Sequence, residues 1–299
     1  MNTCYTSTGK SGLLACIILA FLGACHPSKT KVEAIKSIKN QTPSDTIAVC
    51  DSCTNIYLSF DDGPHTGTVP VAQILNRQKV KASFFEVGSQ YNYSEEYKNI
   101  SISLSNNPLF KLYNHTYSHA AGNHFNKYYA TPSVVWEDIQ RNKLVMGLHS
   151  NITRLPGNNV WITPGYLFPG RKKIATTVSL IENNHSEYIT GWDIEWNFNN
   201  KTLLVPPVKD LLAKMDGELK KSLPFPKNLV ILMHDFMFKQ GPNADKLDSL
   251  ITVLKSRNNI RFKWIEEHPC LKPTSIDSSK RMLTRMATNK LVGTDSGKF

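Results

Sequence analysis

The sequence predicts an α/β fold, a distorted (β/α) barrel of about seven parallel strands, from three observations. Short, continuous apolar runs alternate with stretches of helical period, the pattern of a parallel sheet covered by helices. About seven such repeats fill residues 55–268, and no Gly-x-Gly-x-x-Gly marks an open dinucleotide-binding sheet. Polar, chemically capable residues close the apolar runs, and barrels of this class place their active sites at that end of the strands. With 299 residues and 40% apolar content, the chain can bury one large core.

Residues 1–24 stand outside that core. Lys10 precedes the apolar run 13–22, which is short for a bilayer span but suits the core of a signal peptide. The run ends in Leu22-Gly23-Ala24-Cys25, which resembles the lipobox of bacterial lipoproteins. That resemblance implies cleavage before Cys25, lipid on Cys25, and an exported protein held at a membrane of the cell envelope. Losing residues 1–24 removes Lys10 alone, so the net charge falls from +11 to +10. An exported protein seldom meets nucleic acid, and no Arg- or Lys-rich arm accompanies this charge, so the expected partners are anionic envelope polymers and no nucleic acid. Residues 25–54, rich in Lys, Ser, Thr and Pro, form a tether.

Ile56, Leu58 and Phe60 alternate with Tyr57 and Ser59 in a first strand, which Gly63-Pro64 stops. A helix through Val69, Ala72, Ile74 and Leu75 and a strand at 82–87 follow. Residues 94–106 fit a helix or a strand. A third strand covers 109–113, a helix runs from Pro132 to about Leu148, and a fourth strand covers 152–155. The stretch 156–170 is a Gly/Pro-rich connection to a helix at 172–183 and a fifth strand at 187–193. Val208, Leu211, Leu212, Met215 and Leu219 form one helical stripe; Leu247, Leu250, Ile251 and Leu254 form another. Between and after these lie strands at 229–234 and 261–265, and residues 269–299 are a polar tail. Cys50, Cys53 and Cys270 remain after export, and a bridge from Cys50 or Cys53 to Cys270 would pin the two ends of the domain.

Asp61 and Asp62 end the first strand. Two adjacent acids there lose hydration and repel, which a cation between them would relieve, although Asp-Asp-Gly-Pro is also good turn chemistry. His115 and His119, four apart, share one face if their segment is helical. With Asp62 they make a two-His, one-carboxylate set with positions left for water and substrate. Zinc is the first choice of divalent ion; cobalt, nickel, manganese and iron suit the same donors.

Ser59-Phe60-Asp61-Asp62-Gly63-Pro64, His115-x-x-x-His119, Arg154-x-Pro156 and Leu232-Met233-His234 are similar, in order, to the motifs of the polysaccharide deacetylase family (NodB homology, carbohydrate esterase family four). The resemblance implies Asp62, His115 and His119 as metal ligands, Asp61 as general base and His234 as general acid. It also implies an oxyanion contact from the backbone just after Pro156, at Gly157, and a substrate groove that Leu232 helps to line. The chain departs from the family at Gly157-Asn158, where an aromatic residue and then Gly are usual. Its Asp-Trp motif is represented by Trp192-Asp193-Ile194-Glu195-Trp196, so Asp193 or Glu195 would tune His234 and Trp196 would wall the groove or simply pack in the core.

The expected activity is hydrolysis of acetyl groups from an acetylated polysaccharide or oligosaccharide, foremost the N-acetyl group of a glucosamine unit. An O-acetyl esterase, or a glycan-binding lipoprotein without turnover, are the other classes compatible with these residues.

Overall fold

The computed structural model describes residues 52–272 except 171, 185, 200–205, 222 and 240. The expected signal segment, Cys25, most of the tether, Cys50 and the tail beyond 272 therefore lie outside the described residues. Element order is β1 (Thr54–Gly63), α1 (Thr68–Gln78), β2 (Ala82–Glu86), α2 (Gly88–Tyr91), α3 (Glu95–Ser105), β3 (Phe110–Asn114), the short turn α4 (His119–Asn123), α5 (Phe125–Tyr129) and α6 (Pro132–Met146). It continues through β4 (Ile152–Thr153), β5 (Trp161–Thr163), β6 (Tyr166–Phe168), α7 (Ala175–Asn184), β7 (Tyr188–Ile189), β8 (Ile194–Glu195), α8 (Val208–Leu219), β9 (Asn228–His234), α9 (Gly241–Ser256) and β10 (Ile260–Phe262).

The sheet runs β6-β5-β7-β4-β3-β2-β1-β9-β8, with β10 beside the start of β1. All strands pair in parallel except the hairpin β5–β6, which is antiparallel within itself and to β7. Pleat alternation sorts the side chains. Ile56, Leu58 and Phe60 of β1, with Leu229, Ile231 and Met233 of β9, pack outward against α1 and α9. Tyr57 and Val230 point inward with Phe85 and Tyr113. Burial of Leu247, Leu250, Ile251 and Leu254 on α9 follows the i, i+3, i+4 spacing read from the sequence, whereas on α1 Ile74 and Leu75 are buried with Val71, and Val69 is exposed. Each such side chain contributes about 1.5–3 kcal/mol on burial. No helix among the described residues is long and apolar enough to cross a membrane.

Several local expectations change. Residues 95–105 are helical, capped by the Ser94 hydroxyl on the Tyr97 N–H. The stretch 156–170 contains the hairpin β5–β6. Of the expected strand 187–193 only Tyr188–Ile189 is a strand, β7 beside β4; the chain then leaves the ladder, and the next strand, β8 at Ile194–Glu195, pairs with β9 on the far side of the sheet. Between them, the carbonyls of Thr190 and Gly191 accept from the Arg154 guanidinium at 3.3 and 2.9 Å. The Trp192 N–H and carbonyl bond to the Asn159 amide at 3.1 and 2.8 Å. Main-chain bonds from the Thr190 N–H to Thr153 and from the Asp193 N–H to Val230 flank this seam, and between them side chains rather than a strand ladder serve the Thr190 and Gly191 carbonyls and both main-chain groups of Trp192.

The expected bridge to Cys270 is not made. Cys270 is a free, buried thiol packed inside the barrel with Tyr57 and Trp161, its sulfur 2.9 Å from His268 Nδ1. Cys53 is in a disulfide whose partner lies outside the described residues. The pairing of Thr54 with Ile260, rather than a disulfide to Cys270, holds the two ends of the domain together.

Candidate active site

At the C-terminal ends of β1, β3 and β9 the site assembles from residues far apart in sequence. Asp62 ends β1 at φ 75°, a left-handed conformation that turns its carboxylate from the strand, and the Gly63–Pro64 peptide that follows is cis. Its Oδ1 stands 3.3 Å from His115 Nε2 and 3.0 Å from His119 Nε2. The three candidate donor atoms all lie within 4.8 Å of one another.

The imidazoles do not meet by helical spacing. His115 leaves the end of β3, Thr116 has φ 65°, and residues 119–123 all have positive φ. A left-handed turn costs roughly 1–2 kcal/mol per non-glycine residue, so other contacts must hold it. Asn114 accepts from the Thr116 N–H at 2.8 Å and from Asn142 of α6 at 2.8 Å. Asp138, also on α6, accepts from the Ser118 N–H and hydroxyl and from Tyr128. With this bracing, the two imidazole rings come to 5.2 Å between centroids.

His115 Nδ1 faces the Arg154 carbonyl at 2.9 Å, an arrangement that puts the proton on Nδ1 and leaves Nε2 as a lone-pair donor. Burial opposes a charge on Asp62, but the adjacent His115 and His119 outweigh it and hold the carboxyl well below the usual range. Burial likewise opposes a charge on His119, and the Asp62 carboxylate overcomes it, raising that imidazole. Donor separations near 3 Å, two imidazoles and one carboxylate suit a small divalent ion with donors at about 2.0–2.2 Å. The residues present fit such an ion.

Asp61 is buried next to this group. One oxygen takes an ion pair from Arg154 Nη1 at 2.8 Å; the other is 3.7 Å from His115 Nε2. Arg154 is completely buried, and its remaining N–H groups reach Ser59 and the two seam carbonyls. It therefore closes the barrel seam and holds Asp61 with one side chain. His234 ends β9 directly opposite Asp61 in the strand register, its ring between Phe198 and Phe236 at 5.9 and 5.7 Å. Leu232 lies one pleat below His234 on the same face and is buried.

Three expectations at the site need correction or completion. Asp193 does not reach His234: its Oδ2 accepts from the Val230 N–H at 2.7 Å, four residues or about 13 Å down β9. His234 Nδ1 has no hydrogen-bond partner among the described residues, and Glu195, paired with Leu232, is not bonded to it either. Trp196 is not a groove wall. It is 1% exposed and packs on Phe238 in the helix-side core, because it follows β8 on the outward pleat.

The aromatic wall missing after Pro156 comes instead from Phe125 of α5. Gly157 has φ 64°, and a Cβ there would meet the Phe125 ring at 2.8 Å, so glycine is what allows the ring to lie over the main chain. That ring meets His119 edge-on at 6.1 Å, and the Tyr129 hydroxyl ties α5 to the Pro156 carbonyl at 2.7 Å. Nothing in the sequence near Arg154 could have indicated a ring thirty residues earlier.

Two buried acids also lie behind the site. Asp235, next to His234, accepts from Thr68, and burial holds it well above the usual carboxylate range. Burial pushes Glu86 up to about 7, against the opposing hydrogen bond from Ser101. Folding thus raises this carboxyl above its ordinary 4.5, so its stabilising protonation is complete below that value and is lost as pH rises through 7. Glu86→Gln is expected to flatten the decline in melting temperature between about pH 4.5 and 8. Parallel declines in both proteins would show that Glu86 does not bind a proton on folding.

An acid pair, two imidazoles gathered on one carboxylate and a third imidazole across the strand register make up a hydrolytic site at the mouth of an α/β barrel. Comparison with known proteins bears on that class. Residues 48–158 match the family model of polysaccharide deacetylase. The chain is 24% identical over 301 residues to a chitin disaccharide deacetylase of Vibrio alginolyticus, covering 70% of each chain. It is 36% identical over 67 residues to a chitooligosaccharide deacetylase of Azorhizobium caulinodans, covering 22% of this chain and 30% of that one. In fold it is similar to the catalytic domain of a peptidoglycan N-acetylglucosamine deacetylase from Eubacterium rectale, with TM-score 0.54, 18% identity, and coverage of 74% and 93% of the two chains. The match to polysaccharide deacetylase is carried by residues 48–158, and together the comparisons indicate a deacetylase hydrolase.

Proposed function

We propose that the protein is a metal-assisted N-deacetylase acting on N-acetylglucosamine units of a glycan, exported and held at the cell envelope through lipidated Cys25. The observation that carries this reading is the convergence of Asp62, His115 and His119 beside the Asp61–Arg154 pair, with His234 opposite Asp61. The chitin-derived substrates in the names of the two curated relatives support the choice of glycan.

A divalent ion held by Asp62, His115 and His119, zinc in the first instance, would supply positive charge that acidifies water and polarises an acyl oxygen. Asp61 takes the proton from the attacking water, with Arg154 compensating its negative charge. The Gly157 N–H, which no main-chain acceptor takes among the described residues, offers a hydrogen bond to the acyl oxygen as charge develops on it. An amide nitrogen cannot leave as an anion, so His234 delivers a proton to it. Phe125 and Leu232 form apolar walls that exclude water around the acetyl methyl.

Metal analysis of the purified protein, with acetate release from N-acetyl chitooligosaccharides and O-acetyl xylan before and after chelation, tests this reading. Chelation is expected to abolish acetate release, and added zinc to restore it. His234→Ala is expected to slow amide turnover by about 10²–10⁴-fold and ester turnover much less. Glycan retention without acetate release, in protein shown to contain metal, would make the chain a binding protein instead.

A further inference from the structure

Asp193 and Trp192, displaced from the catalytic mouth, line a different cavity of about 240 Å³. It lies at the other end of the barrel, where Asn228 starts β9, six residues or about 20 Å from His234. Its walls are aromatic: Trp161, Tyr166, Phe168, Trp192 and Phe225. Tyr166 stands edge-on to Phe225 at 5.8 Å and 6.0 Å from Trp161, so the rings form a continuous surface rather than separate contacts.

The charge on this cavity runs against that of the molecule. The chain carries +11 overall, yet the cavity is lined by two carboxylates, Asp193 and Glu218, and by no Lys or Arg among the described residues. Lys221 pairs with Glu218 at 2.7 Å, and among the described residues no Lys or Arg pairs with Asp193. Asp193 takes one main-chain hydrogen bond, from Val230, and burial pushes its carboxyl up to about 6, so it is ionised at neutral pH but poorly solvated. His268 on the wall is pushed down to about 3 by burial and is neutral, and burial raises the Tyr166 phenol, which is neutral as well. Aromatic faces and an under-solvated carboxylate together favour a cation that also carries apolar C–H surface. The cavity is smaller than the roughly 300–1,000 Å³ of drug-sized pockets and has room for one hexose ring.

We infer that this cavity is a binding site for an amino-sugar ring in its ammonium form, with the ring stacked on the aromatic wall and the ammonium on Asp193. Recognition of an ammonium follows from the cavity alone; the choice of a hexosamine rests on the deacetylase reading. In that setting the cavity would retain glycan that has already lost acetyl groups, apart from the reacting mouth.

Trp161 and Trp192 make the test direct, because an occupant changes their fluorescence. The full-length protein is titrated at neutral pH with the trimer of glucosamine, the trimer of N-acetylglucosamine and cellotriose. The glucosamine trimer is expected to bind at least tenfold more tightly than the other two. Asp193→Asn, and separately the surface substitution Glu218→Gln, should each weaken it several-fold without changing the far-ultraviolet circular dichroism. Asp62→Asn should leave this binding in place. Equal affinity for the three trimers, or a response lost in Asp62→Asn and kept in both Asp193→Asn and Glu218→Gln, would overturn the proposal. Acetate release is measured separately on the same preparation, so failure of the deacetylase reading and failure of this site are distinguishable.

Discussion

Asp61→Asn is expected to lower the rate of acetate release by about 10²–10⁴-fold while leaving the metal content of the protein unchanged. Asn keeps the shape of the side chain and an oxygen for the 2.8 Å contact with Arg154 Nη1, but it cannot accept a proton from water. The metal-ligating candidates are Asp62, His115 and His119, none of which is altered. Metal analysis and steady-state kinetics well below the melting temperature separate the two effects. A fall in kcat with intact metal places proton transfer on Asp61. A variant that turns over at the native rate removes Asp61 from the mechanism, and a variant that loses metal shows Asp61 to be part of the ion's coordination.

Arg154→Met is expected to cost about 3–5 kcal/mol, because it leaves the buried Asp61 charge without its partner. For a domain of this size, that corresponds to a fall of roughly 6–20 °C in melting temperature. The loss also reaches the barrel seam, where the Thr190 and Gly191 carbonyls lose their donor. Arg154→Lys should recover little of it, since an ammonium cannot serve Asp61, Ser59 and both carbonyls from one plane. Circular dichroism melts of the two variants check this. If both melt with the native protein, the guanidinium carries no structural role and the seam is held by the Asn159 contacts alone.

The convergence of Asp61, Asp62, His115, His119, Arg154 and His234 was legible because they stand at or just after the ends of apolar runs, and strand exits of a parallel barrel share one mouth. The contacts that hold them were not. Asn142 and Asp138 look like ordinary polar positions of an amphipathic helix until α6 is seen to pin the segment 115–123, in which Thr116 and residues 119–123 are left-handed. That segment carries a His-x-x-x-His spacing, which suggests a helix, yet its backbone is left-handed; tertiary hydrogen bonds overrule local preference there. Phe125 was invisible for a related reason, since its ring reaches the main chain at Gly157 from an element some thirty residues earlier. The assignment of Asp193 failed because the expected strand 187–193 is broken at the seam, which shifts the residues after Gly191 to the other end of β9.

Sequence by itself determined the parallel α/β class, the helix faces that cover the sheet and the set of chemical groups at the strand ends, because apolar periodicity and element order are local properties of a chain. Only the tertiary structure decided where the barrel is closed by side chains instead of a ladder, that Cys270 stays a core thiol, and which acids face which cavity. Those outcomes depend on the meeting of side chains dozens of residues apart, whose burial and hydrogen bonding no local pattern encodes.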